Sequence, residues 1–205
     1  PMMVKPAASG SALGASKVDN AEQLPSAMVR AYAYGPTAVI EIATVVPITD
    51  ATAMARDVAT RDTRGIGVLI RGLLDGGIRR FMIGLGGSST NDCGAGLLAE
   101  LGLVITDADG VAVAPTPEGL ADAARVDAAA LDPRLRESAI TLMSDVNNPL
   151  CGPLGATAVF GPQKGVRPEM VDVLDNRLAR FATLAEQAVG RSAAQRPGAG
   201  AAGGL

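Results

Sequence analysis

The chain has 205 residues, 48% hydrophobic and 19% charged, enough apolar material for a buried core in one substantial domain or two small ones. A formal charge of −3 argues against a broad basic face for nucleic acid. The absence of histidine excludes Ser-His-Asp and Cys-His nucleophilic catalysis, and two cysteines without a C-x-x-C spacing exclude a thiolate metal cage or a thioredoxin-like centre. The longest uncharged run, 146–163, is broken by Pro149, Pro153 and Pro162, which argues against a spanning helix and a membrane partner. No signal-peptide pattern is visible at the start of the sequence, and the sparse cysteines fit a reducing cytoplasm.

In chain order, 1–23 is rich in Ala, Ser and Gly without a clear period and reads as irregular. Segments 27–34 and 37–43 are β-rich and separated by Gly35-Pro36, as in a hairpin or two neighbouring strands. Ile66, Leu69, Ile70, Leu73 and Leu74 follow the spacing of one helical face, which Gly76-Gly77 ends. A buried strand is expected at 81–85. A second helix opens near Asp92, carries Leu97, Leu98 and Leu101 inward and stops at Gly102. Asp107-Ala108-Asp109-Gly110 predicts a hairpin turn between 104–106 and 111–113. Short helical pieces are expected at 119–125 and 133–137, a strand at 139–143, then a loop over 146–165. A long helix follows, with Pro168 in its first turn and apolar residues at three-to-four spacing to Gly190. The Gly/Ala-rich tail 191–205 has little that could order it alone. Strands alternating with helices indicate an α/β fold: a layered mixed sheet with flanking helices over 24–190.

Two loops carry chemistry, each following an apolar strand, where ligands bind in open α/β sheets. The first runs Gly86-Gly87-Ser88-Ser89-Thr90-Asn91-Asp92. Its glycines allow close backbone approach and its three consecutive hydroxyls suit a phosphate or carboxylate at a helix start, although a Gly-rich turn capped by Asp92 has the same composition. It fits none of the P-loop, dinucleotide-binding or nucleophile-elbow patterns. The second begins Ser144-Asp145-Val146-Asn147-Asn148-Pro149 and closes Phe160-Gly161-Pro162-Gln163-Lys164-Gly165. Asp145 and Asn147 can accept a hydroxyl proton, hold Mg²⁺ or orient a hydroxyl, or simply form a turn. Lys164 is one of three lysines among 18 basic residues, and reads either as a compact charge for an anion or as an ordinary surface lysine. This is equipment for phosphoryl transfer, which needs positioning and charge neutralisation more than covalent work by the protein.

These loops, together with Val159-Phe160-Gly161-Pro162-Gln163-Lys164-Gly165, the strand Thr37-Ala38-Val39-Ile40-Glu41-Ile42-Ala43 and the tail Gly198-Ala199-Gly200-Ala201-Ala202-Gly203-Gly204, resemble the bacterial glycerate kinase family in sequence order from about Leu24 onward. The resemblance implies the family's inserted central α/β domain with partial edges of its Rossmann-like domain. It also implies ATP-dependent phosphorylation of D-glycerate with Mg²⁺. The family's opening Pro-Asp-Ser-Phe-Lys strand and its Asp-Gly-Gly-Glu-Gly-Thr motif are not matched, so the expectation is a chain inactive without the nucleotide-side lobe. Departures from the family pattern include Cys93 in place of a usual Gly, and Thr63-Arg64-Gly65-Ile66-Gly67 in place of a Thr-Tyr-Gly-Thr-Gly-like stretch.

On this resemblance Ser88, Ser89, Thr90, Asn91, Asn147 and Arg64 are expected to bind substrate, and Gly86 and Gly87 to approach ATP. Asp145 is expected to accept the hydroxyl proton or assist Mg²⁺, and Lys164 to offset transition-state charge. Asp92 is either catalytic or a helix cap, and Glu41 either a further site residue or a satisfied strand-end carboxylate. The alternatives are a non-catalytic organic-acid-binding module and a kinase acting on another hydroxy acid.

Overall fold

The computed structural model describes residues 2–4, 16–18 and 37–205. The expected strand at 27–34 lies outside the described residues. Within the stretch read as irregular, β1 (Met2–Val4) and β2 (Ser16–Val18) pair antiparallel.

The central sheet has three parallel strands in the order β3 (Thr37–Glu41), β4 (Arg80–Gly84), β7 (Ala139–Met143). Alternation sets its faces: Ala38, Ile40, Phe81 and Ile83 point into the core, while Met82 stays 36% exposed on the opposite face. The edge strand β7 is exposed along its whole length, Ile140 and Leu142 included.

Helix α2 (Arg64–Asp75) follows a short α1 (Ala51–Ala55), which Asp50 caps by accepting from the Thr52 and Ala53 amides. The spacing read from the sequence is the buried face of α2: Ile66, Leu69, Ile70, Leu73 and Leu74 are each at most 5% exposed, worth roughly 2 kcal/mol apiece in apolar burial. The helix ends in a Schellman turn. Gly77 takes φ +88°, its amide donates to the Leu74 carbonyl, and buried Ile78 donates to that of Leu73. Helix α3 (Ala95–Glu100) crosses α2 at two glycines: a Cβ on Gly67 would meet Glu100 Cβ at 2.6 Å, and one on Gly96 would meet the Arg64 nitrogen at 2.7 Å.

Three local expectations change. The turn at Asp107 forms, with its carboxylate accepting from the Asp109 and Val111 amides, but 111–113 contributes only a single bridge, Thr106 to Ala112. The strand that pairs along β5 (Val104–Thr106) is β6 (Arg125–Asp127), so 119–125 is not one helical piece but a 3-10 turn at Gly119–Ala121 leading into a strand. Leu120, fully buried under Leu103, Ile105 and Phe181, fixes that arrangement. The loop 146–165 contains helix α4 (Ala156–Phe160) and a 3-10 turn at Pro162–Lys164, while the short helical piece expected at Pro133–Glu137 is present as a 3-10 helix.

The long helix α5 (Val171–Val189) follows a 3-10 turn at Pro168–Met170 and buries Leu174, Leu178, Phe181 and Ala182. Free Cys93 and Cys151 pack beside Leu150, Leu178 and Ala182; burial pushes the Cys151 thiol up to about 12, so it packs rather than reacts. The Gly/Ala tail is ordered by its surroundings. Ala201 and Ala202 enter the central core, Gly200 donates to the Asn148 carbonyl, and Gly203 accepts from the Cys93 amide.

Candidate functional site

Parallel strands end together, so the loops after β4 and β7 meet at one edge of the sheet. Between them and the tail lies a cavity of about 240 Å³, with Gly86, Gly87, Ser88, Ser144, Asp145 and Lys164 forming its polar wall. Leu85, Val146, Phe160, Ala201 and Ala202 form its apolar wall. A second cavity, of about 570 Å³, includes Glu41, Ala43 and Met143 in its lining. The two share Leu85, Gly86, Gly87, Ser144 and Asp145, so the tips of β4 and β7 divide one groove into two compartments.

Lys164 is no surface residue: it is 2% exposed. The 3-10 turn Pro162–Lys164, closed by Gly165 at φ +92°, turns its side chain inward. Its Nζ donates to the Thr90 carbonyl at 2.6 Å and to Ser88 Oγ at 3.0 Å, which ties together the two loops that the sequence had singled out. Burial pulls its pKa down to about 8, partly countered by the charge of Asp92 and reinforced by that of Arg61. At neutral pH it is a buried ammonium at the cavity wall.

The hydroxyl loop divides into a lining residue and residues behind it. Ser88 lines the cavity, whereas Ser89, Thr90, Asn91 and Asp92 are at most 2% exposed and lie outside its wall. Ser89 Oγ donates to the Val46 carbonyl and Asn91 Nδ2 to Thr157 Oγ1. Asp92 Oδ2 accepts from the Thr63 amide, Thr63 Oγ1 and the Gly96 amide, the last inside the first turn of α3. Asp92 thus caps α3, although Gly94 occupies the boundary position. Burial raises the Asp92 pKa to about 6, against the lowering effect of those donors. Thr90 Oγ1, Asn91 Oδ1 and Asp92 Oδ1 are buried without a hydrogen-bond partner.

Asp145 is exposed, at the rim common to both compartments, and Gly86 and Gly87 are exposed beside it. Glu41 lines only the larger compartment. Asn147 is exposed and outside both walls. Arg64 sits at the start of α2, half exposed and 3.6 Å from Asp62, and lines neither compartment. Two contributors were not singled out as site residues. Arg61 is one of many arginines, and Ala202, at φ 54°, lies in the tail stretch that carried part of the resemblance.

The fold and groove define an α/β protein with a partly polar groove where parallel strands end. The family model described as "Glycerate kinase family" matches residues 4–205, and the chain belongs to that family. It is 46% identical over 171 residues to the glycerate kinase of Bacillus subtilis, covering 83% of this chain and 45% of that protein. It is 40% identical to the glycerate 2-kinase of Escherichia coli, with the same coverage. A crystal structure of glycerate kinase 2 from Salmonella typhimurium superposes with a TM-score of 0.79 at 42% identity, covering 83% of this chain and 46% of that one. The chain spans about half the length of these relatives. Among the described residues no helix is long and apolar enough to cross a membrane.

Proposed function

We propose that this chain supplies the acid-binding half of a glycerate kinase, which transfers the terminal phosphoryl group of ATP to a hydroxyl of D-glycerate. The observation that carries this reading is the Lys164 ammonium, held at 2.6 and 3.0 Å from the hydroxyl loop in the wall of a 240 Å³ cavity whose rim carries Asp145. A three-carbon hydroxy acid suits that volume. Its carboxylate pairs with Lys164 and Ser88, and its hydroxyl faces Asp145. Ser89, Thr90 and Asn91 serve this by holding the loop backbone, and Lys164 offsets the charge that grows on the transferred group.

The larger compartment receives the nucleotide phosphates, which approach over Gly86 and Gly87 because neither residue has a side chain to block them. Among the described residues no cluster of three or more acidic or thiol ligands would hold a metal by itself. Asp145 alone suits Mg²⁺, which commonly binds through one or two carboxylates plus substrate phosphates and would neutralise charge on those oxygens. Asp145 accepts the proton of the attacking hydroxyl. A cytoplasmic location accords with the two free thiols.

Calorimetric titration with D-glycerate and then with ATP tests the reading. Saturable D-glycerate binding that Lys164→Met greatly weakens supports it; no binding of D-glycerate or of related hydroxy acids overturns it. Acid binding without ATP binding would mark this chain as an organic-acid-binding module.

A further inference from the structure

Arg61 is 5% exposed, and no carboxylate among the described residues forms an ion pair with it, although Asp57 is near enough to act on its charge. Its guanidinium is satisfied almost entirely by backbone carbonyls. One nitrogen, Nη1, donates at once to the Ser89 carbonyl at 3.0 Å and to the Lys164 carbonyl at 2.9 Å. The other two donate to the carbonyls of Arg56, at 2.6 Å from Nη2 and 3.1 Å from Nε, and of Met54, at 3.2 Å. The group therefore spans the segment before α2, the hydroxyl loop and the turn that carries Lys164.

We propose that Arg61 is a positioning residue of the acid-binding site: it clamps the backbones of Ser89 and Lys164 to each other, so that the Lys164 ammonium meets Ser88 at the cavity wall. The inference rests on the function proposed above for the cavity. A long, flexible lysine side chain holds its end in place only if its own backbone is fixed relative to its acceptors. The acceptors of Lys164 are Ser88 Oγ and the Thr90 carbonyl, the residues on either side of Ser89. Arg61 thus closes a ring: from its Nη1 to the Ser89 carbonyl, along the loop to Ser88 and Thr90, across to Lys164 Nζ, down that side chain to the Lys164 carbonyl, and back to Nη1. A planar guanidinium with five donors can bridge several carbonyls in fixed directions; a lysine ammonium at this position cannot reproduce that fork. The positive charge also adds to the potential behind the anion site without neutralising Lys164.

The test follows Lys164 directly by ¹⁵N-lysine NMR of the ligand-free protein, where Lys5 and Lys17 supply the other lysine signals. D-glycerate affinity is read in parallel. Arg61→Ala is expected to move the Lys164 ammonium resonance towards that of a solvated lysine and to weaken D-glycerate binding by about tenfold or more, the loss associated with hydrogen bonds to a charged group. Added guanidinium, which fits the vacated space, restores both readings; urea, similar in shape but uncharged, restores neither. Arg61→Lys keeps the charge and most of the volume, so it gives a folded protein if Arg61→Ala does not. It is expected to leave the Lys164 signal displaced. A wild-type signal and affinity in Arg61→Lys, or an Arg61→Ala protein that guanidinium and urea treat alike, overturns the clamp. Failure of the wild-type protein to bind D-glycerate, with the Lys164 signal still dependent on Arg61, sinks the proposed function and leaves the clamp standing.

Discussion

The loops that follow β4 and β7 end side by side yet are built on opposite plans. From Ser88 to Asp92 the first is buried, and its groups are bound to Val46, Arg61, Thr63, Thr157 and Lys164. The second leaves Ser144, Asp145 and Asn147 open to solvent. The groove therefore has one buried wall, against which Lys164 from the far end of the second loop lays its positive charge, and one solvent-open rim, which carries the negative charge of Asp145. Fixed donors stabilise developing charge without reorganising, whereas a group that exchanges a proton needs access to it.

That contrast predicts that substitutions on the rim cost turnover without stability, while substitutions in the wall act on binding or on stability. The largest effect is expected at Asp145. In a full-length enzyme carrying this sequence, Asp145→Asn should lower kcat by about 10²–10⁴-fold, as for loss of a general base, with an unchanged thermal midpoint. An Asp145→Asn enzyme with unaltered kcat removes this carboxylate from the chemistry.

Next comes Lys164→Met, expected to weaken D-glycerate binding by about 100-fold. Its unfolding free energy should change by less than about 1 kcal/mol, because removing a buried charge offsets two lost hydrogen bonds. Denaturant titration beside calorimetry separates the two quantities.

A pH series sharpens the same point. The ammonium is the binding form and loses its proton at about 8, so affinity should be flat below that value and fall about tenfold per pH unit above it. An affinity still flat at pH 10 would show that the charge of Lys164 is not used.

The last effect is one of stability. Asp92 titrates at about 6 in the folded protein against an ordinary 3.8, so the folded state binds its proton more tightly than the unfolded chain does. Its contribution is therefore greatest below pH 4 and is lost as pH rises to 6, by about 3 kcal/mol. Asp92→Asn should lack that decline, so the difference between the two stability curves should carry it between pH 4 and 6, whereas curves that stay parallel would contradict the assignment.

How far the sequence disclosed this arrangement depends on the kind of force involved. The apolar face of α2 follows from burial, which leaves a period, and it was legible; the strand at 81–85 was legible as an apolar run, but not that Met82 faces out of the core. The meeting of the two loops was legible too, because parallel strands bring their ends together. Helix α4 was not, since Ala156–Phe160 is five residues between two glycines and shows no period. Strand β6 was missed because pairing with β5 overrides the helical reading of 119–125. The division of the hydroxyl loop into Ser88 at the cavity and Ser89–Asn91 behind it depends on side-chain direction, which composition does not encode. Arg61 was hidden for a related reason: its partners are backbone carbonyls, and any residue supplies those.

The seat of residues 198–204 has a thermodynamic consequence. Gly203 lies against Thr90 so closely that a Cβ there would meet the Thr90 carbonyl oxygen at 2.3 Å, and Ala202 completes the cavity wall beside it. A partly opened state in which this stretch lifts away has no binding site to offer. An acid in the cavity thus opposes that opening by RT ln(1 + [L]/Kd), about 2.7 kcal/mol at a hundredfold excess over Kd. Amides of an alanine- and glycine-rich strip with scant side-chain anchorage would then exchange with solvent far more slowly, protected by a guest most of them never touch.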